Sequence, residues 1–143
     1  MVELITEKIS VDKILNKVED HSTGAVVLFL GRVRDHANGH QVTGMAYEAY
    51  SEMAHKKMQE IEDEIKKRWP VQKVAMVHRT GKLELGEVSV AIAVACPHRK
   101  EAFQSCQFAI DTLKETVPIW KKEQFVDGEA WVEGTVPDPG ITQ

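Results

Sequence analysis

The chain is predicted to be an α+β protein: a mixed, mainly antiparallel sheet carrying three helices. Three observations lead there. The spacing of apolar residues switches repeatedly between a period of two and a period near 3.6. The resulting order is helix, two strands, helix, two strands, helix, two strands, as expected where hairpins interleave with helices. No glycine-rich strand-to-helix turn of the form G-x-G-x-x-G and no phosphate-binding P-loop occurs, which argues against a doubly wound nucleotide-binding sheet. At 143 residues, one domain over 1–143 is expected, large enough for its own core.

Ser10 caps a short helix whose Val11, Ile14, Leu15 and Val18 share a face. Gly24 to Arg34 reads as a strand apolar on both faces from Ala25 to Leu30, and so central in its sheet. Asp35 to Gln41, with Asn38-Gly39, reads as a turn, and Val42 to Tyr50 as a strand pairing back across it in a hairpin. Ser51 opens a long helix with Ala54, Met58, Ile61, Ile65 and Trp69 in one stripe, closed by Pro70. Val71 to Arg79 and Glu87 to Cys96 are strands joined through Gly81, Leu83 and Gly86. In the second, Val88, Val90, Ile92 and Val94 face one way; Ser89, Ala91, Ala93 and Ala95 form a small-residue face on which a helix can lie close. A third helix from about Arg99 to Val117 carries Phe103, Cys106, Ile110, Leu113 and Val117 at helical spacing. Two short strands, Ile119 to Val126 and Glu129 to Glu133, precede an irregular tail, 134–143. Trp69, Trp120 and Trp131 read as core or interface anchors.

Composition narrows the function. A net charge of −4 opposes a general nucleic-acid binder. The longest apolar run, Ala25 to Leu30, is of buried-strand length and cannot span a membrane. Early charges and the lack of an apolar h-region predict no secretory signal. Cys96 and Cys106 read as buried thiols of a cytoplasmic protein. The six histidines show no ligand spacing, so no metal is expected, and no G-x-S-x-G suggests a hydrolase.

Three places could carry chemistry. In Leu113-Lys114-Glu115-Thr116-Val117-Pro118-Ile119-Trp120-Lys121, Pro118 ends the helix. Lys114 then sits in the last helical turn and Lys121 just beyond the break, so two ammonium groups can converge on an anion or keep one lysine partly desolvated. Two solvated lysines beside a helix C-terminus is the alternative. In Gly31-Arg32-Val33-Arg34-Asp35-His36, alternation sends Arg32 and Arg34 to one side. Forked guanidinium donors suit carboxylates and phosphates, against the alternative of ion pairs to acidic loop residues. Gly31 permits close approach of a ligand or of another backbone. Cys96-Pro97-His98-Arg99 joins a strand end to a helix start, where unpaired N–H groups welcome an anion; a capping His98 competes. His78-Arg79-Thr80-Gly81-Lys82-Leu83 reads as a structural turn.

With these residues in view, the chain resembles the large, catalytic subunits of molybdopterin synthase, the MoaE family, over nearly its whole length. The resemblance rests on Phe29-Leu30-Gly31-Arg32-Val33-Arg34, Tyr47-Glu48-Ala49-Tyr50, Met53-Ala54, His78-Arg79-Thr80-Gly81-Lys82-Leu83, His98-Arg99, Ala102-Phe103, Leu113-Lys114 and Pro118-Ile119-Trp120-Lys121-Lys122-Glu123, in that order. It implies an α/β-hammerhead-like fold with a small β subdomain. It also implies a sulfurtransferase of molybdenum cofactor biosynthesis without a cofactor of its own. Cyclic pyranopterin monophosphate would gain two sulfurs as a dithiolene. The donor would be the C-terminal Gly-Gly thiocarboxylate of a small ubiquitin-like subunit inserted into the large one. Two large subunits would form a central homodimer within a heterotetramer. By the same resemblance Lys114 and Lys121 are catalytic. Arg32, Val33 and Arg34 line the tail and substrate pocket, and Lys122 and Glu123 extend the substrate-contacting segment. His98 and Arg99 come from the neighbouring large subunit to the pterin phosphate. The competing expectation is a non-catalytic anion-binding adaptor that docks a ubiquitin-like tail.

Overall fold

The computed structural model describes residues 1–126 and the strand 128–132; the expected tail 134–143 and the side chain of Trp131 lie outside the described residues. The elements run β1 (Val2–Ile5), α1 (Val11–Lys17), β2 (Ala25–Arg32), β3 (His36–Ala37), β4 (His40–Ala49), α2 (Ser51–Arg68), β5 (Lys73–Arg79), β6 (Gly81–Leu83), β7 (Val88–Cys96), α3 (Arg99–Thr116), β8 (Ile119–Phe125) and β9 (Gly128–Val132). The three helices stand where the periodicity puts them. Strands β1, β3 and β6 are additional to the expected set, each too short to show a pattern of its own.

The strands form two sheets. One has the order β1-β5-β7-β2, with β1 parallel to β5 and the other pairs antiparallel. The other has the order β3-β4-β8-β9, with β6 also on β4. The expected hairpin between the second and fourth strands does not form. Strand β2 pairs with β7 from Ala25 opposite Cys96 to Arg32 opposite Val88, while β4 pairs with β8 and β6. Nor is β2 central: it is an edge strand, and Val26 is 47% exposed. Its apolar character on both faces has another cause, because helices cover both faces of its sheet. Ala25, Val27 and Phe29 pack on the core shared with α2 and α3, whereas Leu28 and Leu30 pack on the core beneath α1.

The central strand is β7, and from Val90 to Ala95 its two faces divide the interior as its alternation predicts. Before Val90, where the β2–β7 register shifts between Gly31 and Arg32, the expected faces are exchanged, with Val88 packed on the side of Ala91 and Ala93 and Ser89 beside Tyr47. Val90, Ile92 and Val94 join Met58, Ile61, Ile65, Cys106, Ile110 and Leu113. Ala91, Ala93 and Ala95 lie against Ile14 and Val18, so the helix on the small-residue face is α1. Ser10 caps α1 by accepting from the Lys13 N–H at 3.3 Å. Leu15 departs from the expected face and is 38% exposed. Phe103 departs further, at 62% exposed. The buried stripe of α3 runs through Ala102, Ser105, Cys106 and Ala109, and Phe103 is turned about 100° from Ala102. Trp69 leaves α2 in an extended conformation ahead of Pro70, and Val117 leaves α3 likewise (φ −83°, ψ 127°) ahead of Pro118.

Candidate active site

The break at Pro118 determines the site. Lys114 stands in the last turn of α3, and β8 starts two residues past Val117, bringing Lys121 back alongside it. In the β4–β8 register Tyr47 lies opposite Lys121 and Met45 opposite Glu123, so these four side chains share a face. Lys122, opposite Ala46, lies on the other face.

Two adjoining cavities meet on that face. The larger, about 160 Å³, is lined by Arg32 at the end of β2 and Arg34 two residues beyond it, Ser89 of β7, Lys114 of α3, and Tyr47, Lys121 and Glu123 of the second sheet, among others. The smaller, about 80 Å³, is lined by Tyr47, His78, Leu113, Lys114, Val117, Ile119, Trp120 and Lys121. Tyr47, Lys114 and Lys121 belong to both. Among the described residues neither Arg32 nor Arg34 has a carboxylate within ion-pair distance; Arg32 Nε donates to the Gly86 carbonyl at 3.1 Å. Four cations thus face one buried carboxylate, Glu123, which is 3% exposed. A cleft of about 320 Å³ between β1 and α1 is larger, with an apolar floor of Ile5, Ile9, Ile14 and Val77. Size does not select the site; convergence of like charge from separate elements does.

The electrostatics follow from packing. Lys114 is pushed below the usual lysine range, first by burial of its ammonium among the cavity walls and then by the charge of Lys121. The residue as a whole is exposed at the helix end, but the surroundings of the charged nitrogen are what set its proton affinity. Lys121 Nζ lies 3.5 Å from Glu123 Oε1, and Glu123 Oε2 is buried without a partner. Burial raises the Tyr47 phenol, with the negative charge of Glu123 adding to it and a hydrogen bond to Ser89 opposing. Ser89 Oγ donates to the Gly31 carbonyl at 3.3 Å. His78, 2% exposed, is lowered to about 4, chiefly by burial, with the Lys114 charge contributing.

Not every expected residue joins this cluster. Val33 is a core residue, 4% exposed, fixed through backbone bonds to Glu87 and Gly86. His98 and Arg99 are exposed at the start of α3, and no side-chain cap is formed by His98. Fifteen residues of helix separate Arg99 from Lys114, roughly 22 Å along the axis. Gly31 lines the larger cavity, and a Cβ there would meet a neighbouring side chain, Val90 Cγ1, at 2.6 Å. Tyr47, His78, Ser89 and Trp120 are not among the expected site residues, although Tyr47, His78 and Trp120 fall in segments that carry the family resemblance. A histidine in an otherwise apolar strand was the available signal. Among the described residues no group of three or more His, Cys, Asp or Glu side chains could hold a metal ion.

An α+β fold whose two sheets meet at a cation-lined cavity defines the class of protein. Comparison with known proteins gives its family. The family described as MoaE protein matches residues 4–116. The molybdopterin synthase catalytic subunit of Bacillus subtilis is 42% identical over 130 residues, covering 91% of this chain and 83% of the relative. That of Pyrococcus abyssi is 41% identical over 128 residues, covering 90% and 86%. The crystal structure of molybdopterin synthase from Staphylococcus aureus superposes with a TM-score of 0.88 at 41% identity, over 92% of this chain and 96% of that one. A Helicobacter pylori complex of subunits 1 and 2 of molybdopterin-converting factor shares the fold, with a TM-score of 0.77 at 19% identity. This chain belongs to the MoaE family.

Proposed function

We propose that this chain is the catalytic subunit of a molybdopterin synthase, acting in molybdenum cofactor biosynthesis. It moves sulfur from the C-terminal thiocarboxylate of a small ubiquitin-like subunit onto cyclic pyranopterin monophosphate, in the cytoplasm. The observation that supports this is the meeting of Lys114, Lys121, Arg32 and Arg34 in one cavity. The two reactants are both anions. At about 4 Å and an effective dielectric constant near 20, two unit charges repel by about 4 kcal/mol, or roughly a thousandfold in rate. Fixed cations offset that repulsion and stabilise the oxyanions that develop as sulfur adds.

The roles divide by environment. Lys121, beside the Glu123 carboxylate, serves as a standing positive charge. Lys114, with its proton held less tightly, is suited to proton transfer. Arg34 and Arg32 bind carboxylate or phosphate with forked donors. Lys122 and Glu123 act from β8, Lys122 toward its far side, and Val33 by fixing the segment between the two arginines. His98 and Arg99 lie too far along α3 to reach their own Lys114, which supports a dimer in which each copy completes its neighbour's pocket.

The test is a reconstitution of this chain with thiocarboxylated small subunit and cyclic pyranopterin monophosphate. Dithiolene formation is the expected result. Binding of the small subunit without turnover would instead establish a non-catalytic adaptor.

A further inference from the structure

His78 lies outside the roles assigned above, yet it forms part of the wall shared with Lys114 and Lys121. Its ring is held from two sides. The Nδ1 atom lies 2.9 Å from the Arg79 carbonyl, which can only accept, so Nδ1 carries the proton and Nε2 presents a lone pair. Tyr47 meets the ring edge-on, with centroids 5.1 Å apart and planes at 68°. Among the described residues, the sealed side-chain nitrogen and oxygen atoms without a partner belong to Gln72, Glu101 and Glu123. The second nitrogen of His78 is therefore not closed off in apolar packing.

Apart from Tyr47, whose phenol is hydrogen-bonded with Ser89, the rest of the smaller cavity is apolar: Leu113, Val117, Ile119 and Trp120. An ammonium there can donate to an acceptor on the same wall. A carboxylate would bind it as a salt bridge and hold its proton, and a cation would repel it. A neutral imidazole nitrogen accepts a hydrogen bond from lysine in either protonation state. We propose that His78 is a positioning residue for Lys114, its Nε2 serving as a neutral acceptor that aims the lysine nitrogen whether or not it is protonated. Burial keeps the imidazole uncharged through the physiological range. The charged and titratable groups facing it are Lys114 from α3, Lys121 and beyond it Glu123 from β8, and Tyr47 from β4. Arg79, its chain neighbour, is engaged with Glu87 at 3.1 Å. This inference rests on Lys114 being the working lysine.

The deciding readout, titration of Lys114, needs no substrate, so its failure is distinct from failure of the turnover assay. The Lys114 amine is titrated by lysine side-chain NMR, with its signal assigned by loss in Lys114→Arg. His78→Asn keeps an amide donor for the Arg79 carbonyl but has nothing at the Nε2 position; His78→Gln places an amide oxygen near it. An acceptor favours the charged form, so His78→Asn is expected to titrate about one pH unit lower than the wild type, the equivalent of one charged hydrogen bond. His78→Gln is expected to stay close to the wild type and to restore kcat, with affinity for the small subunit unchanged in both. Imidazole nitrogen shifts of the wild-type protein should report the Nδ1–H form from pH 5.5 to 8, whatever the stability of the variants. Equal Lys114 titration in all three proteins, or an Nε2–H form of His78, overturns the proposal.

Discussion

Lys114 and Lys121 are seven residues apart, a separation that on a continuous helix would leave them two turns from each other. Pro118 folds that separation into a corner, so the pair was legible in the sequence as soon as the proline was given its steric meaning. Replacing Lys114 with alanine should lower single-turnover dithiolene formation by about 10²–10³-fold, the scale of one preorganised electrostatic contact. Binding of the small subunit should stay within a few-fold, measured by calorimetry. His78 was not legible in the same way. In the sequence it is one histidine at the end of a strand; its ring is held by Tyr47, which is 31 residues distant and reaches it through a different sheet. Its burial makes a prediction about pH. The imidazole is lowered in the folded chain, so its contribution to stability is present above the unfolded value of 6.5 and is lost as pH falls through about 4. That interval corresponds to about 3 kcal/mol. Urea denaturation should show a shallower loss of stability between pH 6.5 and 4 for His78→Gln than for the wild type. Glu62, Glu87 and Asp20 are also held low and titrate in both proteins, so the difference between the two isolates the histidine.

Strand β7 shows what periodicity conveys about an element and what it leaves out. From Val90 to Ala95 its alternation of branched and small residues marks a face for bulky packing and a face for close approach, and both are occupied as the side-chain sizes require. The register shift opposite Gly31 and Arg32 exchanges the faces of Val88 and Ser89. The same logic misjudged β2, because alternation reports which faces are covered and not which strands lie alongside. Helices on both sides of the sheet make an edge strand read like a central one, and its partner is not the nearest strand in sequence but one about sixty residues away. The two faces of β7 should therefore respond to opposite changes. Ile92, fully buried against the α2–α3 side, should lose about 2–5 kcal/mol on truncation to alanine. Ala93, equally buried beneath α1, should instead lose about 1–3 kcal/mol on enlargement to leucine, since α1 would have to lift. Chemical denaturation of the two variants measures both; tolerance of Ala93→Leu would mean that α1 is held by something other than that close contact.

At the scale of the whole molecule, α3 carries candidate site residues at both ends. Its C-terminal turn delivers Lys114 to the cavity, while its N-terminus presents His98 and Arg99 to solvent at the far end of the helix, roughly 22 Å away. Eighteen helical residues are a rigid spacer, and a hinge that let one copy use both ends on one substrate would have to break it. Composition and pattern could place those residues at a helix start but could not say in whose pocket they work, because distance through space between two molecules is not written in either sequence. Symmetry supplies the missing constraint. In a twofold dimer, a contact from one copy to the other is repeated in reverse, so each pocket would draw Lys114 from one chain and His98 and Arg99 from the other. A chain with Lys114→Ala and a chain with Arg99→Ala would then each be inactive as homodimers. Mixed and allowed to exchange, half of the dimers would be hybrids, and each hybrid would hold one pocket with both lesions and one with neither. Activity should recover to about a quarter of the wild-type level, approached from zero at the rate of subunit exchange. No recovery, with hybrids shown to form by mass spectrometry of differently tagged chains, would mean that each pocket works with the residues of a single chain, and that His98 and Arg99 bind something else.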